Sequence, residues 1–244
     1  MAKTHRNSIE FKVWGRHALF TDPVSRIGGE KCSYQIPTYE ALRGITKSIY
    51  WKPSLDWVID ECRVMKHIQT QPKGMKPLNV DGGNALSIYT YLIDVEYRVR
   101  AHFVWNRSRP DLSADHDEHK HHNIARRSLE RGGRQDIFLG TRECQGYVAP
   151  CEFLTGTGAY DEIEELAFGL MFHGFDYPDS PESTGGKLYA RHWPPVMRKG
   201  VIRFDSPDQC TLRREVRDMN RKDFVVGRNM MGAEGEAVQM GLDP

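Results

Sequence analysis

Val95-Glu96-Tyr97-Arg98-Val99-Arg100-Ala101-His102-Phe103-Val104-Trp105 is the stretch on which the fold turns. Val95, Tyr97, Val99, Ala101, Phe103 and Trp105 alternate with Glu96, Arg98, Arg100 and His102. A period of two sends alternate side chains to opposite faces of a pleated strand, so this segment lays one apolar face on a core and turns a charged face away. Upstream, Leu55 to Met65 is β-rich and mostly apolar, and Ile9, Phe11 and Val13 alternate with Glu10 and Lys12 until Gly15 interrupts them. Turn residues at Asp22-Pro23 and Gly28-Gly29 separate that first strand from Pro37-Thr38, after which Tyr39, Leu42, Ile45 and Ile49 recur at helical spacing as far as Pro53. Downstream, a polar pattern from Asp115 to Arg131, with Ile124 and Leu129 inward, predicts a second helix stopped by Gly132-Gly133. Extended chain follows at Ile137-Phe138-Leu139 and from Cys144 to Phe153.

The resulting order, strand-helix-strand-strand-helix-strand, is that of an α+β, ferredoxin-like domain, an arrangement shared with RNA-recognition modules. We place it at residues 1–154. Shorter β-like runs, Leu166 to Phe175 and Gly200 to Phe204, broken by Pro178, Pro181, Gly185-Gly186 and Pro194-Pro195, predict a small, mainly β extension over 155–226. Residues 227–244, rich in Gly, Met and acidic side chains without periodicity, read as a mobile tail.

With 244 residues, 39% of them hydrophobic, the chain can bury one generous core or one domain plus a smaller appendage, and the second is favoured. No stretch approaches the roughly 18 to 20 apolar residues of a membrane span, and the N-terminus lacks the apolar centre of a secretory signal, so the expected location is the cytoplasm. Cys32, Cys62, Cys144, Cys151 and Cys210 form no CxxC pair and read as reduced thiols. Net charge is only +1, yet Arg98 to Arg134 carries nine Lys and Arg against five Asp and Glu, and Lys187 to Arg228 carries eleven against five. Such local excesses suit a polyanion, though ordinary solvated surface has the same composition.

The densest chemistry lies in Asp115-His116-Asp117-Glu118-His119-Lys120-His121-His122. On a helix, His116 and Lys120, Asp117 and His121, and Glu118 and His122 share faces, as metal ligands would, but no HExxH order is present and Lys120 repels a dication. A solvated helix face fits equally. The third reading is acid-base cleavage of RNA, which needs a base for the 2′-hydroxyl, a cation for the charge on phosphorus and an acid for the leaving 5′-oxygen. Since ribose carries its own nucleophile, this chemistry needs no metal-activated water and leaves a 2′,3′-cyclic phosphate. Spacing alone does not choose among the three.

Several longer strings carry a resemblance: Gly15-Arg16-His17-Ala18-Leu19-Phe20-Thr21-Asp22-Pro23, Ile27-Gly28-Gly29-Glu30-Lys31, Pro37-Thr38-Tyr39-Glu40-Ala41-Leu42, Ser48-Ile49-Tyr50-Trp51-Lys52-Pro53, Arg109-Pro110-Asp111-Leu112, Gly132-Gly133-Arg134, Asp136-Ile137-Phe138-Leu139-Gly140, and Arg142 through Phe153. From about Ile9 to Phe204 the chain resembles the type I-C CRISPR-associated RAMP endoribonucleases, the fifth Cas family, subtype d. The resemblance implies a RAMP-type ferredoxin-like domain with a C-terminal β extension, in a subunit that matures the CRISPR repeat transcript. It also implies that the subunit stays on the 5′ handle of the mature crRNA inside Cascade, beside the backbone and large subunits. The family's cutting residues, a tyrosine at the end of the first helix and an adjacent Lys-His pair, match Tyr50, Lys120 and His121. Beside that pair, His119 and His122 are candidates for a second proton carrier. Lys31, Arg109, Arg131 and Arg134, basic residues in or beside these strings, are the expected RNA contacts. No cofactor and no metal are expected. The alternative is a subunit that caps the crRNA and scaffolds its neighbours without cutting; duplex DNA is a further partner that the basic stretches suit.

Overall fold

The alternation around Val99 belongs to β4 (Ser87–Trp105), a strand of 19 residues that begins well before the apolar pattern does. The computed structural model describes residues 7–23, 26, 29–78, 81–178, 186–219 and 238, so the expected tail from residue 227 lies, Val238 apart, outside the described residues, as do Ile27 and Gly28. Val95, Tyr97, Val99, Ala101 and Phe103 are buried. β1 (Ser8–Ala18) runs antiparallel along one flank of β4, with Phe11 opposite Val99, and β2 (Leu55–Val64) along the other, with Trp57 opposite Phe103. β3 (Thr70–Met75) pairs with the first part of β4. β5 (Ile137–Phe138) and β6 (Gln145–Pro150) close the other edge, where β6 pairs with β1. The order β6-β1-β4-β2 carries α1 (Tyr39–Ile49) after β1 and α2 (Glu118–Glu130) after β4, which is the ferredoxin-like order.

β1 does not stop at Gly15. A Cβ there would lie 2.6 Å from Leu139 Cδ1 and 2.9 Å from the Gln145 carbonyl oxygen, so the glycine admits the neighbouring chain against the strand. α1 starts where Thr38 Oγ1 accepts from the Ala41 amide at 3.2 Å, and it buries Tyr39, Leu42, Ile45, Thr46 and Ile49. α2 starts three residues later than the sequence pattern suggests. Asp117 caps it by accepting from the Lys120 amide, and Asp115 ends a separate 3-10 turn, Pro110–Asp115. Its buried face is His121, Ala125, Ser128 and Leu129, whereas Ile124 is only half-buried. Gly132 and Gly133, at φ 85° and 101°, end the helix, and the Gly133 amide donates to the Ser128 carbonyl at 2.8 Å.

The charged face of β4 is covered by the chain itself. After β6, residues 151–161 cross the sheet from β1 to β2. The Phe153 amide donates to Glu10 Oε2 at 2.8 Å, Arg98 donates to the Glu152 carbonyl at 2.8 Å, and Arg63 grips Asp161 at 2.7 Å, while the Arg100 guanidinium sits 4.6 Å from the Phe153 ring centroid. This crossing delivers β11 (Val201–Arg203) to the free edge of β2, where β10 (Val196–Arg198) and β7 (Leu166–Ala167) continue the main sheet. β8 (Met171–Asp176), β9 (Lys187–Trp193) and β12 (Leu212–Asp218) form a second, three-stranded sheet. The run read as one segment from Leu166 to Phe175 is therefore two strands in different sheets, parted at Gly169, whose φ is 72°. Among the described residues no helix is long and apolar enough to cross a membrane. All five cysteines are free.

Candidate functional site

Tyr50 and His121 meet because two helix ends converge. The chain leaves α1 at Tyr50 in an extended conformation, and the Tyr50 carbonyl is held by Trp57 Nε1 at 2.7 Å. The register of α2 puts His121 on the same face as Ala125 and Leu129, so the imidazole points into the core beside Phe103 and Trp105. Tyr50 Oη lies 2.8 Å from His121 Nδ1, and His121 Nε2 lies 2.8 Å from the Asp115 carbonyl oxygen. A carbonyl only accepts, so Nε2 carries the proton; in the neutral ring Nδ1 then accepts and Tyr50 donates. Both residues are 0% exposed.

Lys120 joins them through Asp115. Its ammonium donates to Asp115 Oδ1, Ser54 Oγ donates to Asp115 Oδ2 at 2.6 Å, and His121 Nε2 lies 3.3 Å from the same Oδ2. The hydrogen bonds from Lys120 and Ser54 pull the Asp115 carboxyl down to about 2. Burial, and next the negative charge of Asp115, push the Tyr50 phenol up to about 12 against the opposing pull of Arg134. The cluster thus offers a hydroxyl hydrogen-bonded to a proton acceptor, with an ammonium group on its solvent side. His116, which stacks on Trp105 with centroids 4.4 Å apart, lies before the helix begins, and His119 is exposed. Among the described residues no three His, Cys, Asp or Glu side chains converge as metal ligands.

A basic stripe leads to this cluster. Lys120, Arg127, Arg131 and Arg134 follow one another along the outer side of α2 and past its end, lining two shallow depressions of about 410 and 500 Å³ that share Ile124 and Arg127. The Arg134 amide donates to the Ser48 carbonyl at 3.1 Å, and its guanidinium stands 5.9 Å from the Tyr50 ring centroid, so the stripe ends over the tyrosine. Arg109 is exposed and paired with Asp111 at 2.7 Å, at the start of the turn that ends in Asp115. Lys31 is not brought to the cluster. It packs over Tyr89 at 4.9 Å, in the early half of β4, a path on the order of 45 Å along the strand from Phe103. Ser54, and the carboxylate role of Asp115, were not legible in the sequence: Ser54 finds its partner 61 residues away, and no local pattern marks it.

Comparison with known proteins places the chain. The family model for the CRISPR-associated protein Cas5d matches residues 8–205. The CRISPR pre-crRNA endoribonuclease Cas5d of Mannheimia succiniciproducens is 30% identical over 199 residues, covering 70% of this chain and 86% of that protein. Its counterpart in Thermus thermophilus is 27% identical over 186 residues, 72% of this chain and 78% of that one. The solved structure of SMU1763c from Streptococcus mutans, a functionally uncharacterized protein, is 37% identical and superposes with a TM-score of 0.71 over 85% of this chain and 96% of its own. With a family match over most of its length and a relative at that identity, the chain belongs to the Cas5d family of CRISPR-associated proteins.

Proposed function

We propose that this protein is an endoribonuclease that cuts CRISPR repeat RNA without a metal, by attack of the substrate's own 2′-hydroxyl. The observation that carries the reading is the 2.8 Å hydrogen bond from Tyr50 to His121, with Lys120 at its solvent side and a basic stripe leading to it; the names of the two curated relatives support the cutting of pre-crRNA, though not its mechanism. In the step, the 2′-oxygen bonds to phosphorus as its proton passes to Tyr50 Oη, and the tyrosine's own proton passes to His121 Nδ1. The P–O5′ bond breaks and the leaving 5′-oxygen takes a proton, giving a 2′,3′-cyclic phosphate and a 5′-hydroxyl. A phenol held at about 12 is a poor free base, which favours the relay through His121 over a standing tyrosinate. Lys120, the exposed member, offsets charge on the phosphorane and stands ready to donate to the leaving oxygen.

Residues 1–154 carry recognition and cutting in this reading, and 155–226 form the extension, of which β11, β10 and β7 continue the sheet edge. The product stays on the protein as the crRNA 5′ handle within Cascade, in contact with the backbone and large subunits, in the cytoplasm. A second reading, a crRNA cap that does not cut, is favoured by the complete burial of Tyr50 and His121. Incubating the purified protein with its cognate repeat hairpin in EDTA separates them. One cut with a 2′,3′-cyclic end supports the nuclease, binding without a cut supports the cap, and cleavage that EDTA abolishes points to a metal.

A further inference from the structure

We propose that the Asp115 carboxylate holds the place of the scissile RNA phosphate in the free protein, and that Ser54 is a further anion-binding residue of the cutting site. The inference rests on the Tyr50–Lys120–His121 reading above. Two donors from separate parts of the chain converge on one carboxylate, Ser54 Oγ at 2.6 Å from the link between α1 and β2 and the Lys120 ammonium from α2, while His121 Nε2, also from α2, donates to the backbone carbonyl of the same residue at 2.8 Å and lies 3.3 Å from the carboxylate. A phosphodiester carries the same single negative charge, shared by two oxygens, and a hydroxyl, an ammonium and an imidazole N–H are the donors that such a group takes.

The backbone that carries the donors is held independently of their present occupant. The Ser54 carbonyl accepts from the Asn106 amide at 3.0 Å, Asn106 Nδ2 donates to the Pro53 carbonyl at 3.0 Å, and the Lys120 amide is held by the Asp117 cap. The occupant is not so held. Asp115 ends a 3-10 turn, Pro110–Asp115, in which no residue is buried. Such a turn has little apolar contact to lose when it moves. Its next residue, His116, stacks on Trp105, and among the described residues its buried Nε2 finds no hydrogen-bond partner.

Moving the turn also answers how RNA reaches residues that are wholly buried. The Asp115 backbone oxygen occupies His121 Nε2 while its side chain occupies Lys120 and Ser54, so one displacement releases all three donors and uncovers the Tyr50–His121 pair. The closed turn is then a self-made inhibitor that an RNA phosphate, delivered along the basic stripe, must replace.

Two measurements test this. The first is affinity, by fluorescence anisotropy, for a cognate repeat RNA made uncuttable by a 2′-deoxy sugar at the cleaved nucleotide. The second is the single-turnover cutting rate of the intact repeat across RNA concentrations. Asp115→Asn keeps the shape of the side chain and removes its charge; it should bind about tenfold tighter, the size of one exchanged charge-assisted hydrogen bond, and cut at saturation no more slowly than the parent. Ser54→Ala should bind severalfold more weakly and need more RNA for half-maximal rate. Asp115→Ala, with thermal melts of every variant, covers the case in which the Asn variant folds poorly. If Asp115→Asn, folded, binds no tighter or cuts more slowly at saturation, the carboxylate positions the machinery instead of obstructing it, and the inference is overturned. His121→Ala is the control that separates the two levels. Loss of cutting there with no gain in Asp115→Asn overturns the inference alone, whereas parental cutting by His121→Ala overturns the site and the inference with it.

Discussion

The two ends of α1 each set a tyrosine against a fully buried histidine, and the two pairs differ in what surrounds them. At the start of the helix Tyr39 stacks on His173, with centroids 4.2 Å apart; at its end Tyr50 hydrogen-bonds His121 at 2.8 Å. Both imidazoles use Nε2 on a backbone carbonyl, Asp205 for His173 at 3.0 Å and Asp115 for His121. Beyond that the likeness ends. Nδ1 of His173 faces Arg191, which is itself buried and committed to Asp176 and Glu40, so the group ties the second sheet to α1. Nδ1 of His121 faces a hydroxyl, and beyond it lie Lys120, Arg134 and a carboxylate on an unburied turn. Burial of a histidine therefore says little about its role; what its second nitrogen meets says more.

The pair at the end of α1 should be broken most severely by the smallest change. Tyr50→Phe keeps the packed ring and deletes the hydroxyl, and single-turnover cutting should fall by roughly 10²- to 10⁴-fold while the RNA still binds. At the other end, Arg191→Met strips the buried Asp176 of its main partner and should cost about 3–5 kcal/mol of stability, read from the denaturant midpoint, with the cutting rate per folded molecule unchanged.

Acid sharpens the contrast. Burial, opposed by the hydrogen bond to the Asp205 carbonyl and reinforced by Arg191 and Arg43, lowers His173 to about 4. The unfolded chain takes up that proton near 6.5 and the folded one only near 4, so stability is full above that window and falls as pH drops through it, by on the order of 3 kcal/mol. His173→Gln should flatten the melting curve's pH dependence over that window. Asp115, held at about 2, acts lower: its contribution is present above about 4 and is lost as pH falls toward 2. Smallest is the stripe. Arg131→Ala and Arg134→Ala should each weaken RNA binding severalfold across sequences and lower the salt slope by about one, while Lys31→Ala, on the far part of β4, should leave the cutting step alone.

Much of the fold was legible because half-buried strands and helices write a period into the sequence. β4, β1, β2 and both helices carry such patterns, and their order fixed the ferredoxin-like sheet. β3 and β12 carry none: every residue of β12 is exposed and β3 has only Lys73 partly covered, so neither shows apolar alternation. α2 shows the opposite failure. A polarity scale counts His121 as a surface residue, yet the helix register sets it in line with Ala125 and Leu129, and Ile124 is displaced to the rim. The Tyr50–His121 contact spans 71 residues and needed the resemblance to be anticipated, and Ser54 was invisible for the same reason of distance. Lys31 shows the limit of a matching string, which identifies a residue without saying on which part of a sheet it stands.

The central claim is that the histidine at the end of α1 moves protons, whereas its counterpart at the start only holds structure. The direct measurement is single-turnover cutting of the cognate repeat RNA, in EDTA, by His121→Ala beside the parent, with binding measured on the same samples. We predict RNA bound but essentially uncut, against a parental product ending in a 2′,3′-cyclic phosphate. Cutting by the folded variant at the parental rate would contradict the account.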